Sequence, residues 1–167
     1  MSFAFMGKIL HVDLTTRTSW VEPLPDEWRS KWIGCRGINA YLLWRDCRPG
    51  IDPLGPENPL IFGLGPLTGT HAPTSGRHAV TCKSPATGFY LKSSAGGHWG
   101  LHAKLAGYDH IVIHGAAATP TYFWLHDDVV EFRNATAVWG HDVRQSDAMI
   151  KRDLGDDQVQ VACIGQG

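Results

Sequence analysis

GPLTGTHAPTSGRHAVTCKSPATGFYLKSSAGGHWG, residues 65–100, gathers three glycine-rich turns into one short stretch: GPLTGT at 65–70, PTSGR at 73–77 and SSAGGHWG at 93–100. Between them, residues 77–83 and 89–92 read as a pair of strands joined by SPATG at 84–88, a connection suited to antiparallel pairing. Residues 93–97 read as a small-residue turn that opens a helix over 98–106, which Gly107 closes as glycine closes many helices.

Working outward, KILHVDL at 8–14 alternates apolar and polar side chains like a half-buried strand, TTR at 15–17 turns, and 18–22 returns. Pro23 and Pro25 are expected to break that ladder. Residues 26–33 read as a short helix with Trp28 and Trp32 one turn apart, and 38–47 as a second. The Pro/Gly/Asp segment 49–59 is a loop and the apolar 60–64 a short strand. DHIVIH at 109–114 reads as a buried strand, and 121–125 with 129–133 as a hairpin around His126, Asp127 and Asp128. Residues 142–154 read as an amphipathic helix carrying Val143, Met149, Ile150 and Leu154. A last strand is expected over 158–164, alternating around Val159, Val161 and Cys163, and the closing IGQG looks like a turn leading onward. Eight or nine short strands with four helices, joined largely by hairpins, predict an α+β fold with mainly antiparallel pairing.

A hydrophobic fraction of 43% against 19% charged residues describes a globular chain. With a net charge of −1, nothing in the charge suggests a nucleic-acid or other polyanionic partner, and none is expected. No apolar run reaches the roughly 18 residues of a membrane span. The first residues lack the charged and apolar regions of a secretory signal, so a cytoplasmic location is expected. Cys35, Cys47, Cys82 and Cys163 form no CxxC pair and read as separate thiols in a reducing compartment.

The chemistry concentrates in the glycine turns. Glycine lets backbone approach a ligand closely, and unpaired N–H groups at a helix start attract anions. Arg77 adds a bidentate cation suited to phosphate. The bottom-up reading is a site for a phosphate-bearing cofactor. The plainer one is simple turns, since neither GxGxxG after a first strand nor GxxxxGK[ST] is present. His98 and His102 have metal-ligand spacing but lack the HExxH context, and His110 and His114 share a strand face without a third ligand. Packed or surface histidines is the plainer reading of both pairs. His71 and His78 flank the loop, within reach of a cofactor or substrate. Trp28, Trp32 and Trp44 are expected to pack helices onto the sheet, with Trp99 near the site.

The motif order resembles one family: GKILHVDLTT, WIGCRGINAYLL, DPLGPENPLIFGLGPLTGT, SGRHAVTCKSPATGF, GGHWGLHAKLAGYDHIVIHGAA and VWGHDV. Together they look like the N-terminal domain of tungsten-containing aldehyde:ferredoxin oxidoreductases. The resemblance implies a β-rich domain of two mainly antiparallel sheets with a few flanking helices. Residues 1–167 would then be the tungstopterin-binding N-terminal domain, incomplete at its C-terminal side, with iron–sulfur and substrate domains absent. The implied cofactor is tungsten, or molybdenum, held by two pterins whose phosphates share a magnesium ion. A 4Fe–4S cluster would pass electrons to a ferredoxin-type acceptor as aldehydes become carboxylic acids.

Residue by residue, the resemblance carries Arg77 to a position between pterin and cluster. It carries Ser94, Ala95, Gly96 and Gly97 to the turn on the pterin phosphate, with the Ser94 backbone carbonyl on magnesium. Ser94 stands where the family pattern has asparagine. The family's cluster cysteines have no counterpart in these 167 residues, and no catalytic residue is assigned. The chain is therefore expected to be a subunit or fragment, inactive alone and completed by a complementary chain carrying cluster and substrate channel, or by a homologous subunit. Two alternatives stand beside this: a non-catalytic cofactor-binding or assembly subunit, and part of a related aromatic acyl-CoA reductase.

Overall fold

The computed structural model describes residues 4–126 and 128–164. Among them run β1 (Lys8–Asp13), β2 (Thr18–Pro23), α1 (Asp26–Trp32), α2 (Arg36–Asp46), β3 (Leu60–Leu64), β4 (His78–Lys83), β5 (Tyr90–Ala95), α3 (Trp99–Leu105), β6 (His110–His114), β7 (Thr121–His126), β8 (Val129–Asn134) and α4 (Val143–Leu154). The chain divides into two compact units, Met1–Ala116 and Ala117–Gly167. The expected α+β class with mainly antiparallel sheets is what forms.

In the first unit six strands lie in the order β2-β1-β6-β3-β4-β5. Every neighbouring pair is antiparallel except β1 with β6. β6 and β3 occupy the middle, and in β1, one place in from the edge, alternating side chains bury both faces. On one face Ile9, Ile61 and Val112 meet Ile38, Leu42 and Leu43 of α2, together with Leu24. Each such side chain contributes about 1.5–3 kcal/mol when fully buried. Trp28 and Trp32 pack against this cluster as expected. Trp44 does not: it is 78% exposed, beside Tyr41 on the outer side of α2.

Three local expectations change. Pro23 does not break β2 but ends it, opposite Lys8 on an edge strand, where a missing N–H costs little. Ser93, Ser94 and Ala95 are not a turn; they extend β5, paired with Val80, Ala79 and His78. Their weak strand preference yields to the β4 ladder, and the turn shrinks to 96–98. Residues 158–164 carry no regular structure, because alternation makes a strand only where a partner ladder is offered. Residues 165–167 and Asp127 lie outside the described residues.

The second unit holds the β7–β8 hairpin and α4. Asp142 caps α4, its carboxylate accepting from the Gln145 N–H at 2.8 Å, while the Gln145 side chain accepts from the Asp142 N–H at 3.4 Å. No helix among the described residues is long and apolar enough to cross a membrane.

Candidate functional site

Leu64, His78 and Ala95 end up side by side at one end of the six-stranded sheet, where the three glycine turns begin or finish. Thr68, buried inside the 65–77 loop, ties that loop together. Its Oγ1 accepts from the Gly65 N–H at 3.2 Å and donates to the Ser75 carbonyl at 3.0 Å, with the Arg77 carbonyl at 3.3 Å. Lys104 of α3 supports the loop from below: its buried ammonium pairs with buried Asp109 and lies 3.4 Å from the Gly65 carbonyl. Asp109 also accepts from the N–H groups of Met6 at 3.2 Å and Gly7 at 2.7 Å. Those bonds help offset the desolvation of a buried pair.

The other two turns meet directly. A Cβ placed on Gly76 would lie 3.4 Å from the Gly97 carbonyl; one on Gly100 would lie 3.2 Å from His78 Nδ1 and 3.4 Å from the Gly76 carbonyl. Gly97 has φ +85 and so requires glycine on backbone grounds. Gly96 requires it on none: its φ is not positive and nothing lies within 4 Å of the place a Cβ would fill. Arg77, Ser94, Ala95, Gly96 and Gly97 are all exposed, and the Arg77 side chain makes no hydrogen bond or ion pair among the described residues. The structure thus brings the five expected site residues to one place. Helical help is smaller than expected, because α3 has 7 residues and no side-chain cap.

The histidines sort clearly. His78 is buried against Trp99, ring centroids 4.9 Å apart, and its Nδ1 has no partner; burial lowers its pKa and keeps it neutral. Trp99 therefore flanks the turn as expected, while His71 is exposed. His98 and His102 are both exposed, and no group of three or more ligating side chains that could hold a metal ion forms among the described residues. His110 Nδ1 donates to Asn39 Oδ1 at 2.7 Å, and burial takes its pKa down to about 3. His114 instead meets His11, 2.9 Å from Nε2 to Nδ1. The shared strand face of His110 and His114 is thus no ligand pair.

Cys35 is half-buried and its thiol donates to the Gly63 carbonyl at 3.3 Å; Cys163 is exposed. Asn39 was not anticipated. It is fully buried, and its Nδ2 lies 3.2 Å from Thr81 Oγ1 and 3.3 Å from the Ile61 carbonyl. A Cβ on Gly63 would come within 2.3 Å of Asn39 Oδ1. A lone glycine inside the strand LIFGL was the available sign of that close approach.

By fold and layout this is an α+β platform that presents glycine turns and cations at one sheet end. The chain belongs to the aldehyde ferredoxin oxidoreductase family: the model of that family's N-terminal domain matches residues 9–167. It is 46% identical over 98% of its length to the tungsten-containing aldehyde ferredoxin oxidoreductase of Pyrococcus abyssi, covering 27% of that protein. The Pyrococcus horikoshii protein of the same name is 45% identical over 98% of this chain and 27% of its own length. Among solved structures, the active site complex BamBC of benzoyl coenzyme A reductase with 1,5-dienoyl-CoA matches with TM-score 0.95 and 35% identity. That match covers 98% of this chain and 25% of the other. The chain thus spans about a quarter of the length of these relatives.

Proposed function

We propose that residues 1–167 are the N-terminal, cofactor-binding domain of a tungsten, or molybdenum, bis-pterin oxidoreductase that turns aldehydes into carboxylic acids. The observation that carries this reading is Gly96. It has no conformational need for glycine and nothing within 4 Å of where a Cβ would sit, yet it lies where the glycine turns meet, beside Arg77, which has no partner among the described residues. A Cβ-free backbone next to a bidentate cation fits a phosphate.

In this reading the backbone at Gly96 and Gly97 and the Arg77 guanidinium hold a pterin phosphate. The Ser94 carbonyl, on an edge strand whose alternate carbonyls face away from the sheet, offers itself to magnesium. When bound, the metal–dithiolene centre supplies the two-electron oxidation. Electrons would leave through a 4Fe–4S cluster to a ferredoxin-type acceptor. The cluster cysteines, substrate channel and acid–base groups are assigned to sequence outside these 167 residues, in the same polypeptide or a complementary or homologous subunit. The relatives' names support an oxidoreductase, and a cytoplasmic location belongs to the same proposal. The likeness to benzoyl coenzyme A reductase supports a second reading, in which an aromatic thioester is reduced on the same base.

The test is elemental analysis and native mass spectrometry of protein purified from its own source, followed by turnover of an aldehyde and of an aromatic acyl-CoA. Tungsten or molybdenum with aldehyde oxidation is expected, and Arg77→Ala is expected to lower metal retention while leaving the unfolding midpoint of the metal-free chain unchanged. Metal-free protein from the native source would end the catalytic reading in favour of a binding or assembly module.

A further inference from the structure

Several cations of the first unit are paired: Arg29 with Asp26, Lys31 with Glu27, Arg45 with Glu22 and Asp46, and Lys104 with Asp109. Arg36, Arg77 and Lys92 make no hydrogen bond or ion pair among the described residues, and all three are exposed. They are far apart in sequence, yet the fold collects them.

Arg36 opens α2 directly after Cys35. The Cys35 N–H donates to the Leu64 carbonyl at 3.2 Å and its thiol to the Gly63 carbonyl at 3.3 Å, which fixes Arg36 at the sheet end where β3 finishes. Lys92 and Ser94 lie on β5 opposite Thr81 and Ala79. Thr81 Oγ1 is 3.2 Å from Asn39 of α2, so Lys92 and Ser94 share the sheet face that α2 covers. Arg36 and Lys92 also both act electrostatically on the Cys35 thiol. Arg77 stands one residue before His78, which pairs with Ala95. Asp109, the buried carboxylate at this end, is already satisfied by Lys104.

Like charges gathered without counter-ions repel one another, and such a focus of positive potential attracts anions. Resting on the phosphate reading of residues Ser94–Gly97, we infer that Arg36 and Lys92 are a second anion-holding element. Their place is the α2 side of that segment, so that a ligand bearing more than one phosphate meets cations on both sides of it. Arg36 brings a planar fork that matches phosphate oxygens; Lys92 brings a mobile point charge.

Calorimetric titration of the full chain with inorganic pyrophosphate, and separately with orthophosphate, tests this. Pyrophosphate should bind more tightly than orthophosphate. Arg36→Gln and Lys92→Gln should each weaken pyrophosphate roughly threefold, and together about tenfold, as expected for exposed charge pairs. Arg36→Lys should recover part of the loss, and Arg48→Gln, an exposed cation outside this group, should change nothing. The unfolding midpoints of the Gln variants should match the parent, because the side chains removed have no partner. If Arg77→Gln abolishes binding while Arg36→Gln and Lys92→Gln bind like the parent, this inference is overturned and the phosphate reading stands. An equal loss in Arg48→Gln would reduce the effect to bulk charge and overturn the inference as well. A parent chain that binds neither probe overturns both readings.

Discussion

The two ends of the six-stranded sheet are built from similar residues and put to opposite use. At the end where β1 and β6 finish, His11, His114, Trp20, Glu22 and Arg45 close upon one another. His11 lies 2.9 Å from His114 and 2.8 Å from Glu22, Glu22 accepts two bonds from Arg45, and the rings of His11, Trp20 and His114 stack. At the end where β3 and β5 finish, Arg36, Arg77 and Lys92 are exposed with no partner among the described residues, and nothing lies within 4 Å of where a Cβ on Gly96 or Gly97 would sit. A polar cluster that satisfies itself is part of the fold. One that is left open concerns something outside it. This contrast separates the two histidine-rich regions better than histidine spacing does.

The largest expected effect comes from the support beneath the open end. Lys104→Met leaves Asp109 charged, buried and without its cation, which should cost about 3–5 kcal/mol. Urea unfolding of the variant measures this, and a loss under 1 kcal/mol would mean that the open end does not depend on that pair.

A smaller effect concerns the closed end. Burial first of all lowers the pKa of His11 and of His114, against the raising influence of Glu22 on His11. A native histidine whose pKa lies below its unfolded value takes up fewer protons than the unfolded chain. Stability is therefore constant above the ordinary histidine range near 6.5 and falls as pH drops below it. His78 and His110 add to the same slope. Midpoints measured between neutral and mildly acid pH should decline, and His114→Gln should flatten part of the decline. A pH-independent midpoint would dissolve the claim that burial lowers the pKa of these histidines.

The smallest effect on stability should come from Gly96→Ala. The site is open and the backbone unstrained, so the unfolding free energy should stay within about 0.5 kcal/mol of the parent. Pyrophosphate affinity should fall all the same, because the added methyl occupies the space that the ligand would take. Unchanged affinity would remove Gly96 from the site.

Much of the framework was legible because it is local. The alternation of KILHVDL with the TTR turn gives the β1–β2 hairpin, and Gly107 marks the end of α3. The turns were legible as turns, and their convergence followed only from the family resemblance. What holds them was not legible. Thr68, Asn39 and Lys104 act through partners that pairing of distant strands brings near, as Asn39 does with Ile61, Thr81 and His110. The strand expected at 158–164 failed for the complementary reason: its pattern was right and it has no ladder. Ser93 to Ala95 succeeded against their pattern because β4 supplies one.

The position of β6 has a consequence for the order of events during synthesis. It lies between β1 and β3, although it follows both by a long stretch of chain. Before it emerges from the ribosome, the β1–β2 hairpin and the β3–β4–β5 meander each carry an open edge with no central strand to join them. Closure therefore waits on a late, non-local pairing, which is slow compared with hairpin formation. A nascent chain halted just short of His110 would hold two half-sheets with sticky edges, and there chaperone contact or misassociation would concentrate.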